Sequence, residues 1–200
     1  IYPGFSIGLG ENGKEYRFKG GIIGQTVMLK TGKMKAGYRK AKLVEIIEKS
    51  EIETNNITEN PNEAAGCKFQ NVDYEKELSI KKDMINELYQ QIHWKEDIKI
   101  NPSPLISGYR NKMEYTFGDS YKDGPLVLGM HKIGRFYEIV ENGGCLIAND
   151  DFETIRKYTQ DFFRNKGFKH YHKVKKEGFL KFFVIRYSFY QNAYMLNLVT

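Results

Sequence analysis

The stretch GGIIGQTVMLKTGKMKAGYRKAKLVEIIEKS, residues 20–50, decides how this chain folds. Thr26–Lys30 and Tyr38–Ile47 are runs of branched and aromatic residues, a composition that favours strands over helix. Upstream, Phe5–Leu9 and Glu15–Lys19 have the same character. Turns are expected at Glu11-Asn12-Gly13, Gly20-Gly21 and Thr31-Gly32. Asn-Gly between two strand-like runs is a hairpin signal, because both central residues need positive φ. Short strands in fewer than 50 residues are too little for a sandwich, so residues 1–50 predict a small OB-like β-barrel.

Inside that barrel the run from Lys30 to Lys42 reads as a basic, glycine-containing loop. Lys33, Lys35, Arg39 and Lys40 supply mobile cations suited to phosphates, and Tyr38 supplies a ring on which a base can stack. The competing reading is a solvated hairpin. Charge placement favours a polyanion. Residues 1–50 and 151–200 each carry a net +6, against −5 for 51–100 and −1 for 101–150. Two basic ends around an acidic middle point to nucleic acid.

The rest of the chain changes period. Residues 51–72 are polar and read as a linker. Leu78, Ile85, Leu88 and Ile92 recur at helical spacing behind Asp73, a capping residue, which predicts a helix over 73–92. Asn101-Pro102-Ser103-Pro104 closes a segment spanning 73–105, since each residue before a proline is pushed into an extended conformation. From residue 106 strands return at Lys112–Gly118, Leu126–His131, Phe136–Val140, Lys181–Tyr187 and Ala193–Val199. A helix is expected from a capping box at Asp150–Glu153. Phe152, Ile155, Tyr158 or Thr159, and Phe162 would line its apolar face, and Gly167 would end it. The fold class is therefore α+β: a barrel, then a central α/β domain over 106–200 with an antiparallel sheet.

Several functions are excluded or unsupported. At 40% hydrophobic and 28% charged residues the chain reads as globular. No apolar run approaches the ~18 residues of a membrane span, and Ile1-Tyr2-Pro3-Gly4 is not a signal peptide. Two cysteines without an export signal fit a reducing cytoplasm. The missing initiator Met and the strand-like end at Val199-Thr200 are expected of a fragment. No GxGxxG loop follows a strand. The four histidines, 93, 131, 170 and 172, lack a metal spacing. Two further clusters combine cations with polar or aromatic groups: Tyr109, Arg110, Asn111 and Lys112 at the start of a strand, and His131, Lys132 and Arg135 in a turn. Arginine and lysine beside splayed aromatics suit an RNA backbone. The alternative at the first cluster is a plain strand start with Arg110 paired to Glu114.

These motifs, in this order, resemble the RNA (uracil-5-)-methyltransferase family across essentially all 200 residues. Residues 20–50 are similar to its TRAM module, an RNA-binding OB-like barrel. GCKFQNVDYEKELSIKK (66–82) resembles the segment after the family's CGGCxxQ loop. SPLISGYRNKMEYTF (103–117) resembles its YRNK motif, and LGMHKIGRFYEIVENGGCLI (128–147) its Gly-x-His strand pair and late cysteine. The resemblance implies a longer enzyme that methylates C5 of a uridine in RNA, most simply 23S ribosomal RNA, with S-adenosylmethionine. Its Rossmann-like catalytic domain, nucleophilic Cys and base would lie past Thr200. The 73–105 segment would pack on that domain. This chain alone is then expected to be inactive, monomeric and without bound cofactor. Many family members carry a four-Cys [4Fe–4S] cluster. Here Ala64 stands at the first CGGC position, and only Cys67 and Cys145 match. No cluster is expected, and no disulfide. The alternatives are a stand-alone RNA-binding module, a tRNA 5-methyluridine methyltransferase, and another TRAM-bearing enzyme such as a methylthiotransferase, whose CxxxCxxC is absent.

Overall fold

The computed structural model describes residues 5–35, 38–54, 69, 71–132, 135–141 and 145–200, with only the backbone described for Lys35, Arg135 and Phe136. The fold is mixed α/β and mostly sheet, with two sheets and two helices among the described residues. It divides into two units, one from residues 5–54 and 71–102, the other from 103–200.

The first unit holds strands β1 (Ser6–Leu9), β2 (Glu15–Phe18), β3 (Thr26–Lys35) and β4 (Tyr38–Glu48), in the order β1-β2-β4-β3. The β1–β2 turn is set by Gly13 at φ +68 and by the Asn12 Oδ1 accepting from the Lys14 amide at 3.0 Å. Two expectations need correction. Thr31-Gly32 is not a turn: both residues stay in β3, where the register against β4 shifts between Thr31 and Met34. The supposed loop from Lys30 to Lys42 is consequently strand on both sides, with Ala36 and Gly37 outside the described residues. A bulge absorbs the extra residue that a turn would have used. Tyr16 and Phe18 are buried under this sheet.

Beyond β4, Glu53 anchors the returning chain. Its Oε1 accepts from the Ser50 amide and from Gln25 Nε2, both at 2.7 Å. A backbone bridge joins Glu53 to Val72. Helix α1 (Tyr74–Gln90) follows at once, capped as expected by Asp73, whose side chain accepts from the Glu75 amide at 2.9 Å. None of its residues is fully buried.

The second unit is a five-stranded sheet, β5 (Lys112–Asp119), β6 (Leu126–Lys132), β7 (Arg135–Val140), β8 (Phe182–Ser188) and β9 (Ala193–Val199), in the order β6-β7-β5-β8-β9, with β6 also paired to β5. It is antiparallel apart from one parallel β5–β7 pairing, Asp119 with Glu138. Alternation places Met113, Tyr115 and Phe117 of β5 and Phe183 and Ile185 of β8 on one face. Helix α2 (Asp150–Asn165) covers that face, with Phe152 fully buried and Phe163 edge-on to Phe117 at 5.8 Å.

The reading of α2 needs two corrections. Its cap is Asn149, one residue earlier than expected, with Oδ1 accepting from the Asp151 amide at 2.9 Å. Its packed stripe keeps Phe152 and Ile155 as read, with Thr159 half-buried, and adds the buried Arg156 and Gln160, while Tyr158 and Phe162 face solvent. Arg156 is wholly enclosed yet fully satisfied. Its Nε and Nη2 donate to Glu153 at 2.8 and 2.6 Å, and its Nη1 donates to the Leu128 carbonyl at 2.5 Å. Gln160 Oε1 accepts from the Leu128 amide at 2.7 Å, and Arg164 Nε donates to the Leu126 carbonyl at 2.9 Å. These side chains complete β6 over the stretch that β7 does not pair, so α2 closes an otherwise open strand edge.

Candidate nucleic-acid interface

In the first unit, strand alternation sorts the basic residues onto two faces. Lys30 lies opposite Lys42, and Arg17 of β2 opposite Lys40. Tyr38, Lys40 and Lys42 share one side of β4, and the Arg17 guanidinium sits over the Tyr38 ring at 4.3 Å. The sequence reading thus places Tyr38 and Lys40 correctly together. It brackets Lys30 and Lys42 only as the ends of the basic run and omits Arg17, and strand pairing brings all three beside Tyr38 and Lys40. Arg39 points the other way, level with the buried Tyr16, and is half-buried. Lys33 is exposed at the β3 irregularity. Like charges directly across a sheet are unfavourable alone; here Lys30–Lys42 and Arg17–Lys40 are such pairs, with Glu15 bound to Arg17 at 2.9 Å.

In the second unit, the face turned away from α2 carries Lys112, Glu114 and Thr116. Lys112 lies directly opposite Arg186 of β8. Lys112 Nζ bonds Glu114 at 3.2 Å, taking the partner that the plain-strand alternative gives to Arg110. Arg110 instead donates from Nε to the Lys112 carbonyl at 3.1 Å, and its backbone bridges to Ala148. Gly108, at φ +64, turns the chain into that bridge. Tyr109 and Asn111 are exposed. His131 Nε2 comes within 3.5 Å of Thr116 Oγ1. It is therefore on the same sheet as Lys112, about 13 Å of strand away. His131 and Lys132 end β6 and Arg135 begins β7, so these residues belong to strands, with Ile133 and Gly134 outside the described residues.

Cys145 is half-buried against the core. Cys67 and Ala64 lie outside the described residues. Among the described residues no group of three or more His, Cys, Asp or Glu is placed to hold a metal ion, and no helix is long and apolar enough to cross a membrane. A cleft of about 250 Å³ opens between Asn111, Arg186, Ser188, Gln191 and Met195, backed by Tyr187 and Tyr194. It has no carboxylate for a ribose diol, so these residues do not fit S-adenosylmethionine.

Each sheet therefore presents cations beside aromatic or amide groups. No family model matches the chain. It is 36% identical over its whole length to an uncharacterized RNA methyltransferase of Caldanaerobacter subterraneus subsp. tengcongensis, covering 44% of that protein. It is 35% identical, again over its whole length and 44% of the relative, to one from Clostridium tetani. The chain thus spans less than half the length of the curated relatives it matches. The crystal structure of Pyrococcus abyssi tRNA (uracil-54, C5)-methyltransferase with S-adenosyl-L-homocysteine has a similar fold, with TM-score 0.70 and 18% identity over 98% of this chain and 45% of that one. The chain is thus similar over its whole length to one part of these RNA methyltransferases, in keeping with the resemblance of its motifs to the RNA (uracil-5-)-methyltransferase family.

Proposed function

We propose that this chain is the RNA-recognition part of an S-adenosylmethionine-dependent methyltransferase acting on C5 of a uridine, with 23S ribosomal RNA as substrate. One observation carries the reading: Arg17, Lys30, Lys40 and Lys42 line up with Tyr38 on one sheet face. Cations spaced along strands suit consecutive phosphates, and the ring offers a stacking surface. The first sheet then acts as the TRAM-type OB-like module. Tyr109, Arg110, Asn111, Lys112, His131, Lys132 and Arg135 belong to RNA contacts of the central unit. The segment 73–105 packs on the methyltransferase domain of the longer protein. S-adenosylmethionine and the catalytic groups belong to that domain, so the 200 residues transfer no methyl group alone. The protein works in the cytoplasm as a monomer and carries no iron–sulfur cluster. The P. abyssi relative favours a second reading, in which the RNA is a tRNA.

The test is RNA binding by the triple variant Lys30→Ala, Lys40→Ala, Lys42→Ala. Each lost phosphate contact lowers the salt slope by about 0.7, so the triple variant loses about 2 units of slope. An unchanged slope removes the hairpin from the interface. Competition between a 23S rRNA fragment and a tRNA separates the two substrate readings.

A further inference from the structure

The β8–β9 hairpin was not part of any recognised motif, yet it holds Arg186, a cation without a counter-ion among the described residues. Arg186 and Lys112 face each other across strands. Lys112 has Glu114, whereas Arg186 has no ion pair or hydrogen bond among the described residues and is exposed. Like charges set directly opposite work against the pairing, an arrangement that a bound anion reverses. Arg186 lines the cleft together with the exposed side chains of Asn111 and Gln191.

The cleft is held in shape from behind. Tyr187 and Tyr194 lie ring against ring at 4.8 Å. Tyr187 Oη donates to Asn192 Oδ1 at 2.7 Å, and Tyr194 Oη to Asp151 at 2.6 Å. Asn192 takes φ +50, a left-handed conformation that Asn tolerates, and Ser188 Oγ accepts from the Gln191 amide at 3.2 Å. The hairpin tip is thereby braced while displaying Tyr190, which is 98% exposed, and Phe189, 51% exposed and edge-on to Tyr187. A planar guanidinium, two carboxamides and an open ring match the parts of a nucleotide: phosphate, base edge and base face.

Resting on the RNA reading above, we infer that this cleft binds one nucleotide of single-stranded RNA. Arg186 takes the phosphate, Asn111 and Gln191 the polar edge of the base, and Tyr190 stacks the adjoining base.

The probe is a single-stranded RNA of about ten nucleotides, long enough to fill one such site. It is titrated into the ¹⁵N-labelled 200-residue chain and, with a fluorophore, followed by anisotropy. The side-chain amide resonances of Asn111 and Gln191 should shift. Arg186→Ala should weaken binding and reduce the salt slope by about 0.7. Tyr190→Ala should weaken binding about fivefold or more. Both residues are exposed, so both variants keep the fold. Wild-type affinity in both variants, with loss in the Lys30/Lys40/Lys42 variant, overturns this site and leaves the RNA reading standing. No RNA binding by the unmodified chain overturns both. Equal shifts of the two amides on adding poly-glutamate also overturn it, because the cleft would then be a general anion patch.

Discussion

Arg156 shows how much one side chain can organise. Burial opposes its charge, but the paired hydrogen bonds it donates to Glu153 and the charges of Glu153 and Glu141 hold its pKa above the ordinary value. Truncation to Met would strand Glu153 and leave the Leu128 carbonyl and Gln160 short of a donor. Arg156→Met should therefore cost about 1–3 kcal/mol, the usual loss when a buried polar group is left without its partner; urea unfolding measures it. Tyr194 gives a pH prediction. Its hydrogen bond to Asp151, then desolvation, push its pKa up to about 12. A folded pKa above the unfolded value of about 10 means the stabilisation is complete below pH ~10 and lost as pH rises toward ~12. Ultraviolet titration of tyrosinate should show a late-titrating group that Asp151→Asn brings back toward 10. Tyr115 is also raised, mainly by burial and then by Glu153, so Tyr194→Phe is needed to assign the signal.

At the scale of elements, alternation and capping carried most of the information. Met113, Tyr115 and Phe117 announce a half-buried strand because a pleat repeats every second residue, and they form the core as read. Asp73 and Gly167 mark helix ends for local reasons that need no tertiary context. The errors arose where tertiary context decides. Thr31-Gly32 carries turn chemistry, but β4 pairs across it and converts it to a bulge. Tyr158 and Phe162 are apolar, yet the α2 stripe is rotated toward Arg156 and Gln160 because β6 has backbone groups to satisfy there. Of the interface, Tyr38 and Lys40 were legible as neighbours in sequence. Arg17 and Arg186 were not, since only strand pairing brings them to Tyr38 and Lys112. The β6–β7 contact yields its own prediction. A Cβ on Gly129 would run into the Val140 carbonyl of the paired strand. Gly129→Ala should lose about 1–3 kcal/mol, the range for overpacking, measured by thermal or urea unfolding.

At the scale of the molecule, two compact units each present cations on a sheet face, and the first and last 50 residues carry a net +6 each. That distribution has a physical purpose if the partner is a long polyanion, since counterion release then supplies the binding free energy. The chain covers 44% of the length of each of the two RNA methyltransferase relatives. The most direct measurement is the affinity of the unmodified 200-residue chain for a single-stranded RNA as a function of salt. The account predicts log K falling linearly with log salt with a slope of about −3, from roughly four phosphate contacts at about −0.7 each. Absence of binding at low salt, or an affinity that does not change with salt, would contradict it.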